Sequence, residues 1–344
     1  MKKGFLHAIG ILGMIVALSL GVKMPAEAHT TGSLQWRDGA YHLYDANGNL
    51  VINDFVFDGE YTYYAQADGT PMKDRLTYHP DGEHIIYFDE YGHEVFSAFQ
   101  YCESVGYTCY FDSQGYIYKD QITFVDGDVV YLNANGKVED SGWFQFANGV
   151  DYGYANEDGT LKNSRFDYDA SGRVVYYHWN GMVARGLISD GLWYYSLDTG
   201  DGHYLGRFKA AGVASSDTYE LQVLDLVNEE RLSRNIAPLK LNTQVQQAAQ
   251  VRAVEICSYF SHTRPDGRSC FSALDEYVTD GYWGAGENIA AGQASPQEVM
   301  NAWMNSPGHK ANILKKSYTE MGIGYYYKAD SMYKKHWVQM FISR

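Results

Sequence analysis

The sequence predicts two kinds of structure in one chain: a solenoid-like, all-β array of short hairpins, followed by a domain of mixed α-helices and β-strands. Three observations lead to this fold class. Aromatic residues make up 15% of the 344 residues, and glycines recur at nearly constant spacing in the first half of the chain. Apolar residues with helical periodicity appear only after Ser215. Together these patterns indicate a multidomain protein.

The first 28 residues have the pattern of a secretory signal peptide. Lys2 and Lys3 precede an apolar run from Phe5 to Val22, and Ala26-Glu-Ala28 resembles a cleavage site between small residues. A retained membrane anchor is the alternative, because the run is close to the ~20 residues that span a bilayer. His7 and several glycines interrupt the run and favour cleavage. We therefore expect an exported protein, soluble or surface-attached, with no transmembrane segment after cleavage.

Charge divides the rest of the chain into two parts. Residues 29–208 contain 10 Lys and Arg against 27 Asp and Glu, whereas residues 209–344 contain 14 of each. The small, non-periodic residues 209–216 are predicted to be a linker between a repeat domain, 29–208, and a second domain, 217–344. The formal net charge of −15 would repel phosphate backbones, so nucleic acid is not an expected partner.

Seven glycines in the repeat domain are spaced 21 to 23 residues apart. They are Gly48, Gly69, Gly92, Gly115, Gly136, Gly159 and Gly181. A period of this size predicts an array in which each unit buries one face against its neighbours. Asp or Asn close before each Gly is typical of a tight turn, so each unit is expected to be one β-hairpin. Calcium binding is the alternative for Asp45 and Asp112, but the 12-residue loop that ends in Glu is missing at both turns.

Aromatic motifs in the repeats resemble the cell-wall-binding repeats of secreted Gram-positive proteins, the choline-binding and glucan-binding type. The motifs are Gly142-Trp143-Phe144 and Trp193-Tyr194-Tyr195. The resemblance implies that Trp143, Trp193, Tyr194 and Tyr195 bind choline or a wall polysaccharide, since an aromatic face attracts a quaternary ammonium group. Because Trp is scarce in the repeats, a surface polysaccharide or wall polymer is favoured over choline as the partner.

Helix and strand signals are clear in the second domain. Thr243 is predicted to cap one helix, and another helix is expected to begin at Ser295, with Pro296 as its first residue. Glu298 fits the capping box of that helix. Residues 321–327 and 336–342 are rich in aromatic and β-branched residues and are predicted to be strands.

Six motifs follow one another in the second domain. They are Val227-Asn-Glu-Glu-Arg231, Ser261-His262-Thr263, Gly286-Glu287-Asn288-Ile289, Trp303-Met-Asn-Ser306-Pro-Gly-His309, Gly322-Ile-Gly324 and Trp337-Val-Gln339. In this order they resemble the CAP superfamily, also called the SCP-like extracellular domain. The resemblance implies a three-layer α-β-α sandwich with a cleft that is lined by two histidines and by acidic side chains.

Matched by motif, the expected cleft residues are His262, Glu287 and His309, and Ser306 stands where part of the family has a second Glu. The resemblance implies a zinc site at His262, Glu287 and His309, because two imidazoles and a carboxylate suit Zn²⁺ with one open position for water. The spacing of these residues alone carries no metal signature. In the alternative interpretation they orient a loop and satisfy buried amides.

Two classes of function stay open for the whole chain. In the first, the repeats anchor the protein to a wall polymer or glycan, and the CAP cleft binds a lipid, a peptide or a partner protein. In the second, the CAP domain is a metal-dependent, protease-like hydrolase. The sequence has no Gly-x-Ser-x-Gly and no His-Glu-x-x-His motif, which favours the non-catalytic class. Catalytic residues are therefore unassigned, and His262, Glu287, His309 and Ser306 are the candidates.

The four cysteines are predicted to form two local disulfides. Cys102 and Cys109 flank an interval of hairpin size, and Cys257 and Cys270 bracket the loop of His262. Export favours disulfides, and no Cys-x-x-Cys spacing points to zinc instead.

Overall fold

The structure is a computed structural model that describes residues 29–209 and 218–344. The predicted signal peptide, residues 1–28, lies outside the described residues. So does the predicted linker, 209–216, apart from its first residue. Within the described ranges no helix is both long and apolar enough to cross a membrane.

The first half of the chain consists of β-hairpins, as the glycine period predicts. Its strands are β1 (Thr30–Arg37), β2 (Ala40–Asp45), β3 (Asp54–Phe57), β4 (Thr62–Ala65), β5 (Arg75–Tyr78), β6 (Ile85–Phe88), β7 (Ala98–Cys102), β8 (Tyr107–Phe111), β9 (Gln121–Val125), β10 (Asp128–Leu132), β11 (Gly142–Gln145), β12 (Tyr152–Ala155), β13 (Arg165–Tyr168), β14 (Val174–Tyr177), β15 (Gly186–Ser189), β16 (Trp193–Leu197) and β17 (Tyr204–Lys209). Consecutive strands pair as antiparallel hairpins from β3–β4 to β15–β16, and β17 extends the last one. The predicted hairpin array is confirmed.

The periodic glycines lie in a different turn from the one expected. Gly59 closes the tip of hairpin β3–β4, whereas the periodic Gly69 follows β4 in a second turn. There the Gly69 amide donates to the Gln66 carbonyl at 2.9 Å, and Ala65 pairs with Pro71 in an isolated bridge. The same turn and bridge recur at all seven periodic glycines, each of which has a positive φ that favours glycine. Each repeat is therefore a hairpin followed by a bridged turn.

The acidic residues of these turns bind backbone amides. Asp45 Oδ1 accepts hydrogen bonds from the amides of Asn47 and Asn49 at 2.9 and 2.8 Å. Asp112 accepts two bonds from its own turn in the same way. The hydrogen bonds with the Asn49 side chain and backbone lower the pKa of Asp45. These bonds account for the acidic residues as ordinary turn formers, which supports the preference over calcium.

Residues in the bridged turns also join neighbouring repeats. The amides of Glu94, Ile117 and Leu161 donate to carbonyls one repeat earlier, over 2.7 to 2.9 Å. The residues at the bridge position are Leu50, Pro71, Glu94, Ile117, Val138, Leu161 and Val183. Glu94 is thus the one ionisable side chain at this position among the described repeats. It is buried without a hydrogen-bond or ion-pair partner in the described residues, and burial raises its pKa to about 8.

The C-terminal residues form one sheet with helices on both faces. The elements are α1 (Tyr219–Leu232), β18 (Lys240–Leu241), α2 (Thr243–Ser258), α3 (Ser272–Tyr277), β19 (Gly284–Ala291), α4 (Pro296–Met304), α5 (Pro307–Ile313), β20 (Glu320–Tyr327) and β21 (Lys335–Ser343). The strand order is β18-β20-β21-β19. Side chains alternate along β21: Trp337 and Phe341 pack with α1, α4 and α5, whereas Val338 and Met340 pack with α2 and α3. The predicted three-layer α-β-α sandwich is confirmed.

The N-cap predictions hold for one of two helices. Asn242 caps α2 and accepts from the amides at positions 244 and 245, so Thr243 is the first helical residue and the predicted cap was wrong. Asparagine is among the strongest N-caps because its side-chain oxygen reaches these unpaired amides. Ser295 caps α4 as predicted, with Pro296 first and with the Glu298 amide donating to the Ser295 hydroxyl.

Strand β20 lies against the backbone of α2 at two glycines. A Cβ atom on Gly324 would lie 2.1 Å from the carbonyl oxygen of Ala249, and one on Gly322 would lie 2.2 Å from the amide nitrogen of Gln246. A side chain of any size would therefore separate the helix from the sheet, and glycine permits the close approach. This contact fixes α2, which carries part of the candidate site.

Contacts divide the described residues into two compact units. The first contains residues 29–164 and His178–Met182; the second contains Arg165–Tyr177 and the described residues of Val183–Arg344. The second unit thus combines the last hairpins with the sandwich. Its hairpin backbone is bound by Asn235, whose side chain accepts from the Val174 amide and donates to the Gly172 carbonyl, both at 2.9 Å. The predicted domain boundary at 209–216 stays a prediction.

Candidate functional site

A short loop displays His262 at the protein surface. The loop follows α2 and is closed by a bridge between Thr263 and Ser269. The Cys270 amide donates to the His262 carbonyl at 3.0 Å, which holds both ends of the loop together. The His262 side chain is 57% exposed. The loop therefore fixes the backbone of His262 and leaves its ring accessible.

Glu287 lies on β19, and its buried carboxylate joins the loop to α2. One carboxylate oxygen, Oε1, is 2.8 Å from Nδ1 of His262, and the other, Oε2, accepts from Nε of Arg252 at 2.8 Å. A carboxylate at one ring nitrogen sets the orientation of an imidazole and leaves the other nitrogen for a ligand or a proton. The structure thus brings together His262 and Glu287, as the family resemblance implied.

Sequence reasoning missed Arg252, which holds Glu287 in place. Its side chain is fully buried on α2 and also donates to Glu255 and to the Ser261 carbonyl, both at 2.6 Å. Burial alone would lower the pKa of Arg252, but the bonds to Glu287 and Glu255 raise it overall. The sequence did contain a signal for this role, since Arg252 lies within the apolar stripe of its helix. An arginine that is buried there needs charged partners.

His309 lies in the first turn of α5 and faces the same cleft. Burial and the neighbouring His262 lower the pKa of His309, so its imidazole is neutral near pH 7. Its backbone carbonyl accepts a hydrogen bond from the Asn288 side chain at 3.1 Å. His309 therefore offers a neutral ring nitrogen to whatever enters the cleft.

The cleft has an apolar wall and a polar end. Its volume is about 590 Å³, and it is lined by Phe260, Ser261, His262, Ile289, Ala290, Ala291, Gln293, Ala302, Trp303, Ser306 and His309. Ser306 is the N-cap of α5, but its side chain makes no capping hydrogen bond. The polar end thus combines a hydroxyl group with two imidazoles, and it can donate and accept hydrogen bonds.

Three atoms that can bind a metal converge below His262. They belong to His262, Cys270 and Glu287 and lie within 4.8 Å of one another. Among the described residues, no group of three that includes His309 meets this distance. The zinc site at His262, Glu287 and His309 stays a prediction. Cys270 is an additional candidate ligand that sequence reasoning had placed in a disulfide.

The predicted disulfide between Cys102 and Cys109 does not form in the structure, where both residues are buried thiols. In the hairpin β7–β8, Cys102 pairs with Tyr107 and Cys109 pairs with Gln100, so the two cysteines are offset diagonally. Disulfides require closer Cβ atoms than diagonal neighbours usually have. The thiols instead hydrogen-bond each other, and this bond together with burial raises the pKa of Cys102.

The predicted disulfide between Cys257 and Cys270 is also not formed. The Cys270 thiol lies close to the carboxylate of Glu287 and hydrogen-bonds with it. Burial and the negative charge of Glu287 raise the pKa of the Cys270 thiol to about 11. Without a metal, Cys270 is therefore a neutral thiol at physiological pH.

The motifs of this site belong to a known family. The family model described as CAP, the cysteine-rich secretory protein family, matches residues 224–341. These residues are a CAP domain. The match includes His262, Glu287 and His309 and confirms the resemblance that the motifs indicated.

Two curated relatives are proteins of Bacillus subtilis strain 168. The uncharacterized protein YkwD is 36% identical over 133 residues, which cover 38% of this chain and 49% of YkwD. The uncharacterized membrane protein YlbC is 31% identical over 129 residues, which cover 37% of this chain and 35% of YlbC. The chain thus spans less than half the length of these relatives.

Among solved structures, choline binding protein F from Streptococcus pneumoniae is 20% identical to this chain. The match covers 50% of this chain and 57% of the choline binding protein F chain, with a TM-score of 0.39.

Trp193, which is predicted to bind a ligand, contacts helix α1 of the CAP domain. The Arg207 guanidinium lies 3.9 Å from the centre of its ring, and the Lys209 ammonium lies 5.1 Å away. The indole nitrogen donates to Asp225 of α1 at 3.1 Å. These contacts show that Trp193 also helps to hold the last hairpin against α1, and its role as a ligand-binding residue stays a prediction.

The other predicted repeat residues also have partners. Tyr195 is buried and donates to Asp190 at 2.7 Å, while Tyr194 stacks on a phenylalanine of β17. Trp143 is half-buried and meets Tyr154 edge to face at 5.5 Å. Their role as ligand-binding residues stays a prediction, and these contacts show that they also stabilise their hairpins.

An exposed aromatic pair, which sequence reasoning missed, lies on the first unit. Phe124 of β9 and Trp179, in the turn after β14, have ring centres 5.8 Å apart and planes inclined by 16°. They are 53% and 63% exposed. Their separation of 55 positions gives no local signal, because it is the stacking of repeats that brings them together.

Proposed function

We propose that this protein acts at a cell surface, where its repeats bind a wall polymer or glycan and its CAP cleft binds a lipid. The proposed binding by the repeats rests on the exposed aromatic pair of Phe124 and Trp179. Aromatic rings of this size are usually buried or partnered, and two that share one exposed platform favour a ligand with flat apolar faces.

The chemistry of the platform fits two parts of such a polymer. A pyranose ring presents C–H groups that pack on an aromatic face, and a quaternary ammonium group is attracted to the ring by ~0.5–2 kcal/mol. The surrounding repeat domain has 27 acidic against 10 basic residues over positions 29–208. That charge attracts a cationic group and repels a bare anionic polymer. The repeats therefore suit a neutral glycan or a polymer that carries quaternary ammonium groups.

Replacing both Phe124 and Trp179 by Ala is expected to weaken binding to isolated Gram-positive cell walls about ten-fold, which corresponds to about 1.4 kcal/mol. Sedimentation of the protein with the walls measures the loss. If millimolar choline releases the wild type, the ligand group is a quaternary ammonium; if a soluble wall polysaccharide does so and choline does not, it is a glycan.

Trp283→Ala is the matched control, because Trp283 is 69% exposed but lies in the CAP domain. It is expected to sediment like the wild type. Equal sedimentation of the double variant and the wild type would contradict the proposed platform.

The CAP cleft supports the second half of the proposal. Phe260, Ile289 and Trp303 provide an apolar wall, and the polar end holds His309 and Ser306. A lipid can place its chain on the wall and its carboxyl or hydroxyl head at the polar end, where a neutral imidazole and a hydroxyl group form hydrogen bonds. The ring of Phe260 is 53% exposed at present, and a bound chain would cover it.

Ala302→Trp is expected to reduce the affinity for a fluorescent fatty acid at least ten-fold, since the indole would occupy the cleft that Ala302 lines. Ala302 is exposed on α4, so the larger side chain is not forced into the core. Fluorescence titration measures the affinity. Asn301→Trp adds the same side chain at the next exposed position, which does not line the cleft, and should bind normally. Equal affinities for both variants would contradict lipid binding in the cleft and would favour a peptide or protein partner.

A further inference from the structure

We propose that one end of the CAP domain docks on a lipid bilayer that contains anionic lipids, and that the loop between β20 and β21 makes the leading contact. This inference deepens the function proposed for the cleft, because a bilayer would be the source of its lipid, and in that respect it rests on that proposal. Docking itself requires no lipid in the cleft, so the two proposals can fail separately.

Several elements of the sandwich end on the same side. Strands β19 and β20 both run antiparallel to β21, so their last residues, Ala291 and Tyr327, lie where β21 begins. Helix α2 runs in the same direction as β20, because its successive turns lie against first Gly322 and then Gly324. The last turn of α2 therefore reaches the same side, and Phe260, which follows it, lines the cleft together with Ala291. We call this side of the domain, residues 255–260, 291–293 and 327–335, the cleft end.

The cleft end holds most of the large apolar and aromatic side chains that the CAP domain exposes. Over the described residues 218–344 these are Tyr259, Phe260, Tyr327, Met332 and Tyr333 at the cleft end, and Val254 and Trp283 elsewhere. Met332 is 89% exposed. A Cβ atom on Gly292 would lie 3.5 Å from the ring of Tyr333, so the loop borders the cleft. Exposed apolar side chains that are grouped in this way mark an interaction surface.

Lysines stand at both ends of the loop, beside its apolar tip. The Lys328 amide donates to the Lys334 carbonyl at 2.8 Å, which closes the loop and fixes its two ends. Residues 327–335 contain three lysines, Lys328, Lys334 and Lys335, and one acidic residue, Asp330. The Asp330 carboxylate lies 4.0 Å from the Lys328 ammonium group and offsets only part of this charge. The loop therefore carries a net positive charge.

The side chains of the loop suit the interface of a bilayer. Met332 can enter the region of the acyl chains, and a tyrosine ring suits the headgroup level, where its apolar part is covered and its hydroxyl group stays hydrated. A lysine packs its stem on the apolar surface and extends its ammonium group to the headgroups. Anionic lipids attract such basic residues. An anionic wall polymer would pair with the lysines but would leave Met332 in water, so the apolar tip favours a bilayer.

Two acidic side chains near the cleft end are engaged by neighbouring groups. Glu255, on the last turn of α2, pairs with Arg252 and Arg264 at 2.6 and 2.7 Å. Glu298 of α4 accepts a hydrogen bond from the Ala294 amide at 2.9 Å. In residues 29–208, by contrast, 27 acidic residues outnumber 10 basic ones, and an anionic bilayer would repel them. The charge distribution therefore favours contact through the CAP domain.

Sedimentation of the full chain with lipid vesicles tests the inference. We expect the wild type to bind vesicles of phosphatidylcholine and phosphatidylglycerol in equal parts about ten-fold more tightly than vesicles of phosphatidylcholine alone. Replacing both Met332 and Tyr333 by Ser should weaken binding to the mixed vesicles about ten-fold, because the apolar contact is lost. Replacing both Lys328 and Lys334 by Gln should remove the preference for the mixed vesicles.

Trp283→Ser is the matched control, since Trp283 is exposed just before β19, at the opposite end of the sheet. It should bind vesicles like the wild type. All variants should bind the fluorescent fatty acid normally, so loss of docking is measured separately from loss of cleft binding, and melting curves show whether each variant is folded. A wild type that docks but binds no fatty acid would contradict the lipid proposed for the cleft and would support docking alone.

Three results would overturn the inference. The first is a folded wild type that binds no vesicles or binds both kinds equally. The second is a variant at Met332 and Tyr333 that binds the mixed vesicles like the wild type. The third is a loss of sedimentation with isolated cell walls, and not with vesicles, in the loop variants, which would assign the loop to a wall polymer.

Discussion

Gly324→Ala is expected to prevent the CAP domain from folding stably. The added methyl group would lie 2.1 Å from the carbonyl oxygen of Ala249, and this oxygen belongs to the backbone of α2. A flexible side chain can move away, but a helix backbone can do so only by lifting from the sheet. That displacement would open the core between α2 and β20. We expect it to lower the free energy of unfolding by more than about 4 kcal/mol. Denaturant unfolding followed by circular dichroism measures the loss.

Gly308→Ala provides the control for this substitution. A Cβ atom on Gly308 would meet no atom within 4 Å, and the residue lies in helix α5, where alanine is favourable. Its unfolding midpoint should equal or slightly exceed that of the wild type. A Gly324→Ala protein with the wild-type midpoint would contradict the close packing of α2 against β20.

Glu94→Gln is expected to stabilise the repeat array at neutral pH. Burial raises the pKa of Glu94 from 4.5 to about 8, so the unfolded chain loses this proton at a lower pH than the folded chain. Below pH 4.5 both states are protonated and folding carries no proton-linked cost. Between pH 4.5 and about 8 the folded state becomes progressively less stable, by ~3 kcal/mol at pH 7.

Glutamine keeps the shape and the hydrogen-bonding groups of the protonated side chain but does not titrate. The variant and the wild type should therefore have equal unfolding midpoints near pH 4, and the variant should unfold at a higher denaturant concentration at pH 7. Glu83→Gln, at an exposed position of a nearby hairpin, should leave the midpoint unchanged at both pH values. A Glu94→Gln protein that follows the pH profile of the wild type would refute a proton-linked role of Glu94.

The repeats show which parts of a structure a local pattern can predict. The glycine period predicted hairpins because turn formation depends on a few adjacent residues. It assigned Gly69 to the wrong turn, because a hairpin tip and a bridged turn both need a positive φ and the same residue types. Phe124 and Trp179 meet across stacked repeats, a contact that depends on how successive repeats are arranged in space and leaves no trace in the nearby sequence.

The CAP domain illustrates the same limit at its site. Motif order predicted the sandwich and the proximity of His262 and Glu287, which lie 25 positions apart. Arg252 escaped notice because its position on α2 suggested core packing, and only the fold shows that two glutamates reach it. Cys270 was assigned to Cys257 from loop length, and its proximity to Glu287 of β19 appears only in the fold.

The contacts of Trp193 and Asn235 with their neighbours bear on where this chain could be divided and joined to another. Asp225 and Asn235 lie in the C-terminal sandwich, yet their bonding partners are Trp193, Val174 and Gly172 of the last hairpins. A CAP domain exchanged by recombination at position 210 would arrive without matching groups and would leave polar atoms of both halves unpaired. Exchange at position 165 would carry the matched surfaces together. In this protein the compact unit is therefore larger than the CAP domain itself and includes the hairpins on which that domain packs.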